Sequence, residues 1–258
     1  MDFYCRNLYK RFQTRNGSVH ALEDVTFEVG EREFVCIVGP SGCGKTTLLK
    51  LICGLLEPTS GRVVFGAEPI DGRPRSALVF QEHGLFPWMT VLDNVAFGLK
   101  MQGVLQQKRN DQAHRFIEKV HLAPFAQSYP HELSVGMRQR VGIARAFVTD
   151  PHLLLMDEPF GSLDVQTRLL LQDELLRIWK EHRKSVVYVT HDIDEAVLMG
   201  DRVLVMTGRP GRIREEISIP LERPRDISGR GCAQVQDIKK HIWTILEDEV
   251  RRSLRINP

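Results

Sequence analysis

The 258 residues of this chain have the composition of an ordinary globular protein, with 42% apolar residues, 26% charged residues and a formal net charge of +2. This composition excludes wholesale disorder and collagen-like repetition, and it allows one large domain or two small ones. The near balance of charge gives no sign of a nucleic-acid footprint, so we expect no nucleic acid partner. No apolar run reaches the roughly 18 to 20 residues that cross a bilayer, and we expect the chain to stay in the cytosol.

The cysteines argue for a reducing compartment. Their number is odd, and no pair has the spacing of a metal site or a redox motif. We therefore expect free thiols at Cys5, Cys36, Cys43, Cys53 and Cys232.

Predicted strands and helices alternate along most of the chain. Short apolar runs bounded by glycine or proline predict strands at 22–27, 33–38, 61–65, 76–80, 153–156, 186–190 and 202–206. Helical apolar spacing predicts helices from residue 45 to a stop at Gly54, and at 91–99, 107–120, 135–148, 166–182 and 194–198. Ser134 stands where the N-cap of the 135–148 helix is expected. The alternation predicts an α/β fold with a parallel sheet and crossover helices.

The last predicted element is an amphipathic helix at 233–252. Its apolar stripe consists of Val235, Ile238, Ile242, Ile245, Leu246 and Val250. The favoured interpretation is a terminal helix packed on its own domain. A helix that binds a membrane surface or a partner is the alternative, and the mixed charge of the polar face argues against it.

A glycine-rich loop between a predicted strand and a predicted helix carries the first chemical signal. Residues 39–46 fit the pattern G-x-x-x-x-G-K-[ST]. In such a loop, backbone N–H groups and the start of the helix surround phosphate oxygens, the lysine reaches the β- and γ-phosphates, and the threonine offers an oxygen to Mg²⁺. The phosphate-binding residues that the pattern predicts are Gly39, Pro40, Ser41, Gly42, Cys43, Gly44, Lys45, Thr46 and Thr47.

Two acidic residues at the end of a buried strand provide the second signal. Asp157 follows the apolar run at 153–156, where a carboxylate can hold the metal that accompanies a nucleotide. Glu158 is next to it and is the candidate general base for an attacking water. An acidic pair alone is only moderately specific, but with the glycine loop it indicates a nucleotide hydrolase.

Further motifs identify the kind of hydrolase. Besides the glycine loop and the acidic strand end, the chain contains Gln81, the stretch Leu-Ser-Val-Gly-Met-Arg-Gln at 133–139, Ser-Leu-Asp at 162–164, and His191. In order and spacing these motifs resemble the ATP-binding subunit of ABC transporters, over residues 6–215.

The resemblance implies a P-loop NTPase core of parallel sheet with flanking helices, an N-terminal antiparallel β subdomain and an inserted α-helical subdomain. The ATP-binding domain would cover residues 1–215, with the helical subdomain at about 88–150. Residues 216–258 would form a linker and the amphipathic helix. A regulatory C-terminal domain, which some family members carry, would need on the order of a hundred further residues.

The resemblance also implies roles around ATP and Mg²⁺. Phe12 would stack on adenine, although packing in the core is the alternative for this side chain. His191 would contact the γ-phosphate and support Glu158, and Lys45 would bind the phosphates. Gln81 would touch the metal or the attacking water and report the nucleotide state. The implied metal ligands are Thr46, Gln81 and Asp157.

In this family, the residues of the signature stretch close over the nucleotide held by a second ATP-binding subunit. Ser134 and Gly136 would contact the partner's γ-phosphate, and Asp164 would lie at the same interface. The partner would be a second copy of this chain or a related subunit. Val135 departs from the usual signature, where glycine is more common, and Met137 replaces a frequent glutamine. We expect Val135 to slow closure or to shift its equilibrium.

The remaining expectations concern membrane partners. The stretch at 82–88 places Leu85, Phe86 and Trp88 directly after Gln81, and by resemblance it would receive a cytoplasmic helix of an integral-membrane permease. The alternative is that these side chains pack the helical subdomain. With a permease as its partner, the chain would lie peripherally at the cytoplasmic face of the inner membrane and would serve a solute-binding protein indirectly.

The nature of the solute rests on a weaker likeness. Residues 206–213 and 220–226 resemble the nitrate, sulfonate and taurine importer branch. A soluble ABC-type ATPase that remodels or regulates a cytosolic assembly remains the alternative function.

Overall fold

The computed structural model describes residues 3–15, 17–66, 73–81, 84–225 and 233–256, the last four of them without side chains. The chain divides into two units, each of which is described by itself. The first unit comprises Met1–Ala67 and Ser185–Pro258, and the second comprises Glu68–Lys184.

Within the described residues, the first unit contains seven strands and three helices. Before the second unit, its elements are β1 (Phe3–Thr14), β2 (Gly17–Val29), β3 (Phe34–Val38), α1 (Lys45–Ile52) and β4 (Ser60–Phe65). After the second unit, they are β7 (Ser185–Thr190), α6 (Ile193–Met199), β8 (Arg202–Met206), β9 (Ile213–Ser218) and α7 (Ala233–Ile256). Within the described residues, β7, β8 and β9 complete the strands of this unit.

Two groups of paired strands organise the first unit. In the first group, β1 pairs in antiparallel fashion with both β2 and β4. In the second, β3 pairs in parallel with β7 and with β8, while β9 adds to β8 in antiparallel fashion. Every residue of β3 and β7 is buried, as expected for parallel strands covered on both faces. The glycine loop leaves the carboxyl end of β3, where ligands bind in open α/β sheets.

The second unit is mostly helical. It contains β5 (Ser76–Val79), α2 (Val91–Met101), α3 (Gln106–Lys119), α4 (Val135–Val148), β6 (Leu153–Asp157) and α5 (Val165–His182). β5 and β6 pair in parallel, from Ser76 beside Leu153 to Val79 beside Met156. Helix α2 packs against α3 and α4. The α/β class with parallel strands, an antiparallel β sheet and added helices is therefore confirmed.

The structure contains two strands, β1 and β9, that the apolar pattern of the sequence did not predict. β1 is interrupted by register shifts, including one between Cys5 and Leu8, and Asn7 has a φ of 46°. These irregularities break the alternation of apolar and polar residues that identifies a half-buried strand. β9 alternates between half-buried and exposed residues, but the half-buried set includes Glu215, so its apolar signal is weak.

Candidate functional site

The loop between β3 and α1 has the backbone conformation of a phosphate cradle. Gly42 and Gly44 have φ values of 75° and 111°, in the left-handed region that favours glycine. At Gly44 a Cβ would also lie 2.8 Å from Leu22 Cδ2 and 3.0 Å from the Ala21 carbonyl oxygen. Helix α1 begins at Lys45, so its first N–H groups are presented to an anion in the loop.

The Lys45 side chain is buried within this loop. Its ammonium donates hydrogen bonds to the Gly39 carbonyl at 2.8 Å and to the Pro40 carbonyl at 3.2 Å. The charge therefore lies inside the cradle, where it can bind phosphate oxygens. The next residue, Thr46, is exposed, and Thr47 is half-buried.

His191 lies in the turn between β7 and α6 and is exposed. The turn is held by local hydrogen bonds. Asp192 caps α6 by accepting from the N–H groups of Asp194 at 2.8 Å and Glu195 at 3.3 Å. The Thr190 hydroxyl accepts from the Asp192 N–H at 3.0 Å. The imidazole is thus presented from a fixed turn.

A buried carboxylate fastens this turn to the sheet. Glu195 accepts hydrogen bonds from the Tyr188 hydroxyl at 2.5 Å and from the Thr190 hydroxyl. Burial raises the pKa of Tyr188 well above its usual value, so its hydroxyl stays a donor. Glu195 was not among the predicted site residues, because its only signal in the sequence is an acidic residue in a short apolar helix.

In the first unit, the glycine loop and the His191 turn line one cavity of about 670 Å³. Residues 39–41 form one part of the wall and residues 191–194 form another. Helix α7 supplies the rest, with Trp243, Leu246 and Val250 among its contributions. The structure therefore brings two of the predicted motifs together and adds a wall that the sequence did not predict.

Helix α7 is attached to the first unit by both apolar and polar contacts. Val235 and Ile242 of its apolar stripe are buried. Lys239 forms an ion pair of 2.6 Å with Asp194, just beyond the His191 turn. Trp243 remains exposed beside the cavity.

In the second unit, the acidic pair ends β6 as the sequence predicted. All five residues of β6 are buried, including Asp157. Glu158 has a φ of 44°, an uncommon conformation for a residue with a side chain. The Gly161 N–H donates to its carbonyl at 3.1 Å and closes the turn. Backbone strain of this kind occurs often at functional sites.

The predicted interface residues Ser134 and Asp164 are both exposed N-caps. Ser134 begins α4, and its hydroxyl accepts from the Met137 N–H at 3.3 Å, which confirms the predicted cap. Asp164 begins α5 and accepts from the N–H groups of Gln166 and Thr167 at 3.1 and 3.0 Å. The bonds from Thr167 lower the pKa of Asp164, so its carboxylate stays charged.

Val135 is the first residue of α4, and 39% of its surface is exposed. It is not among the residues with positive φ. A β-branched residue therefore meets no backbone strain at this position of the signature, and its effect would come from its exposed bulk. Gly136 is half-buried, and a Cβ there would lie 3.3 Å from Thr167 Cγ2.

Gln81 is exposed and comes two residues after the end of β5. In the stretch that follows, Glu82 and His83 lie outside the described residues. Phe86 is half-buried, with its ring centroid 4.6 Å from that of Phe97. Trp88, by contrast, is 70% exposed. The two interpretations of this stretch therefore separate, with Phe86 packing the helical unit and Trp88 available to a partner.

Phe12 lies in the β1–β2 hairpin, opposite Val19. Its surface is 36% exposed, so it is not a core residue. The Lys10 ammonium lies 5.1 Å from the centroid of its ring. An exposed aromatic face of this kind can stack on a nucleotide base.

These residues fit ATP and Mg²⁺ by the chemistry of their donors. The cradle offers backbone N–H groups and a lysine to phosphate, while Thr46, Gln81 and Asp157 offer the oxygen ligands that Mg²⁺ prefers. Among the described residues, no cluster of three or more His, Cys, Asp or Glu side chains could hold a metal ion. In proteins, Mg²⁺ usually keeps water and phosphate oxygens among its ligands.

The four cysteines within the described residues are free thiols, and Cys232 lies outside that part of the chain. Burial raises the pKa of both Cys5 and Cys36, which keeps them protonated and unreactive. Cys43, in the glycine loop, is only 1% exposed.

No helix in the described ranges is long and apolar enough to cross a membrane.

A family model described as "ABC transporter" matches residues 22–161, more than half of the chain. The chain belongs to the ABC transporter family. An uncharacterized ABC transporter ATP-binding protein of Methanocaldococcus jannaschii is 49% identical over 250 residues, covering 96% of this chain and 92% of the relative.

Two relatives with functional names place the chain in the expected branch of the ABC transporter family. The nitrate import ATP-binding protein NrtD of Synechocystis sp. is 46% identical over 86% of this chain and 84% of its own length. The aliphatic sulfonates import ATP-binding protein SsuB of Bacillus cereus is 42% identical over 90% of this chain and 91% of its own length.

A solved ABC cassette has the same fold. The dimeric structure of a post-hydrolysis state of the ATP-binding cassette MJ0796, bound to ADP and Pi, superimposes with a TM-score of 0.75 and 32% identity. The match covers 85% of this chain and all of the cassette. The expected ABC-type ATPase is therefore confirmed, while the roles of individual site residues remain predictions.

Proposed function

We propose that this chain is the ATP-hydrolysing, energy-coupling subunit of an ABC importer. The observation that carries the proposal is the cavity of the first unit, which the glycine loop and the His191 turn line together. Membership of the ABC transporter family supports it.

The proposed division of labour follows from the chemistry of each residue. The N–H groups of the glycine loop and Lys45 bind the phosphates, and Phe12 stacks on adenine. Thr46, Gln81 and Asp157 would hold Mg²⁺, which neutralises charge on the β- and γ-phosphates. Glu158 would orient the attacking water, and His191 would support Glu158.

Glu158 is the proposed general base because a carboxylate beside the metal ligand can accept a proton from water. His191 would donate a hydrogen bond from its ring N–H to a γ-phosphate oxygen. Local hydrogen bonds close the turns that carry Glu158 and His191, so each side chain starts from a fixed backbone.

The proposed working form contains two ATP-binding subunits, either two copies of this chain or this chain and a related subunit. The MJ0796 cassette is dimeric, which supports such an arrangement. Ser134 and Gly136 are at the start of α4, where a helix N-terminus can bind the partner's γ-phosphate. Asp164 would lie at the same interface.

The proposed membrane partner is an integral-membrane permease, and the stretch around Trp88 would receive one of its cytoplasmic helices. The proposed solute is nitrate, a sulfonate, taurine or a similar small molecule. Two relatives named for nitrate and aliphatic sulfonate import support this choice. A solute-binding protein would act through the permease and would not touch this chain.

Hydrolysis is tested with Glu158→Gln in the purified chain. The substitution removes the proposed base but keeps the shape of the side chain. We expect phosphate release to fall by at least about a hundredfold, since general bases contribute roughly 10²- to 10⁴-fold, while ATP binding persists and ATP-bound dimers accumulate. Asp173→Asn, an exposed carboxylate on α5, is the matched control.

Parent-like turnover by Glu158→Gln would refute the assigned base. For the transport role, cells with and without the chain are compared for uptake of labelled nitrate, taurine and an alkanesulfonate. Unchanged uptake of all three, with the protein recovered only in the soluble fraction, would favour the soluble remodelling ATPase.

A further inference from the structure

The turn that follows β8, residues 207–211, lies directly against the glycine loop. The Arg209 guanidinium donates a hydrogen bond to the Gly42 carbonyl at 3.2 Å. At Gly211 a Cβ would lie 2.2 Å from the Cys43 carbonyl oxygen, so this position has room only for glycine. Neither residue belongs to the motifs that predicted the nucleotide site.

The same turn is tied to β2. The Gly211 N–H donates to the Ala21 carbonyl at 3.0 Å, and the Glu23 N–H donates to the Gly211 carbonyl at 3.0 Å. Ala21 and Leu22 also contact the position of Gly44, as described above. The outer side of the glycine loop therefore rests on a brace made from two segments of the first unit.

The contact at Gly42 bears on phosphate binding through peptide geometry. In a trans peptide unit, the carbonyl of Gly42 and the N–H of Cys43 point in opposite directions. A guanidinium that holds the Gly42 carbonyl thus also fixes the Cys43 N–H, which donates a hydrogen bond to the Pro40 carbonyl at 3.3 Å and closes the turn of the glycine loop. The conformation of the loop in turn determines where its other N–H groups point, and those groups bind phosphate.

Helix α7 holds the other side of the turn. Glu249 is only 6% exposed, and its carboxylate accepts from the Gly208 N–H at 3.1 Å. Its second oxygen accepts from Arg252 at 3.1 Å, one turn further along the helix. The turn itself is stiff, since the Thr207 hydroxyl donates to the Pro210 carbonyl at 3.0 Å and accepts from the Arg212 N–H at 3.0 Å.

We propose that Arg209 and Glu249 are positioning residues for nucleotide binding, and that α7 sets the affinity of the glycine loop through the 207–211 turn. This inference rests on the proposed function, because it assumes that the loop binds ATP. Glu249 fixes the turn, the turn presents Arg209, and Arg209 fixes the Gly42 peptide. Helix α7 thereby affects nucleotide affinity although it carries none of the nucleotide-binding motifs.

The test uses N-methylanthraniloyl ATP, a fluorescent nucleotide, in the presence of Mg²⁺. It measures the dissociation constant of this nucleotide from the purified full chain. We expect Arg209→Ala and Glu249→Ala each to weaken binding by roughly three- to tenfold, the scale of one typical lost hydrogen bond. Because both act through one contact, the double variant should bind about as weakly as either single variant. Glu249→Gln keeps an acceptor for Gly208 and should restore most of the affinity.

Glu247→Ala is the matched control. Glu247 lies on the same helix and pairs with Arg251 at 2.7 Å on the exposed face, so its removal should leave nucleotide affinity within about twofold of the parent. A structural defect would lower the fraction of protein that binds nucleotide without changing the dissociation constant, and that result would overturn the proposal. Multiplicative effects in the double variant would overturn it as well.

Arg209 is exposed, so Arg209→Ala should fold even if Glu249→Ala does not. Parent-like affinity in Arg209→Ala alone would refute the positioning role. If the parent binds no nucleotide, the proposed function falls and this inference falls with it. If the parent binds normally and the variants match it, only the link from α7 is refuted.

Discussion

A buried asparagine in the second unit offers a direct test of how the stretch after Gln81 is held. The Asn94 side chain is 0% exposed and forms four hydrogen bonds to the backbone before α2. It accepts from the Phe86 N–H at 2.8 Å and donates to the carbonyls of Phe86, Met89 and Thr90 at 3.0 to 3.1 Å. We expect Asn94→Ala to release this stretch.

The size of the effect follows from which groups lose a partner. The Phe86 carbonyl also accepts from the Met89 N–H, and the Thr90 carbonyl also accepts from the Asn94 N–H. The Phe86 N–H and the Met89 carbonyl lose the bond that Asn94 supplies. At about 1 to 2 kcal/mol for each such group, the free energy of unfolding should fall by about 2 to 4 kcal/mol.

Urea unfolding followed by circular dichroism measures this loss. For an m-value of about 3 kcal/mol/M, the midpoint should fall by about 1 M. Hydrogen exchange of residues 84–90 should accelerate in the same variant, since the bond to the Phe86 N–H is lost. Lys100→Ala is the control, because Lys100 is exposed on the same helix. A midpoint within about 0.2 M of the parent, with unchanged exchange, would refute the reasoning.

Four further predictions concern the site. Val135→Gly should leave the ATPase rate of the assembled complex unchanged or raise it, because the exposed valine occupies an ordinary helical position; a severe loss would contradict this. Trp88→Asp should preserve folding and hydrolysis but impair solute uptake, and normal uptake would exclude Trp88 from the permease contact. Cys43 should react with N-ethylmaleimide more slowly than the half-buried Cys53 in peptide-resolved labelling, and equal rates would contradict its burial. Glu158→Gly should abolish turnover yet raise the free energy of unfolding by about 1 kcal/mol, because glycine adopts positive φ without strain; a lower urea midpoint would contradict this.

Helices of the second unit could be predicted closely because their signals are local. Ser134 precedes a run with helical apolar spacing, and α4 begins at the next residue. The predicted helix at 166–182 differs from α5 by one residue at its start. Capping and 3.6-residue periodicity involve residues only a few positions apart, so the sequence displays both.

The strands of the antiparallel sheet were harder to predict for the opposite reason. β1 pairs with β4, and Phe3 lies beside Phe65. Which residues of β1 face inward depends on two partners and on several register shifts. A period of two cannot be read through such irregularities, because each shift moves the following side chains to the other face.

The chemistry of the site is displayed in short contiguous motifs because phosphate binding needs successive backbone N–H groups, which one loop can supply. The support of that loop has no such constraint. Arg209 is 167 positions from Gly42, and Glu249 is 41 positions from Gly208. Any residue that places a donor or acceptor at the right point in space could serve there, so no local pattern marks it. Chains with the same glycine loop can therefore differ in nucleotide affinity through segments that carry no motif, and in this chain α7 is the segment where such a difference would arise.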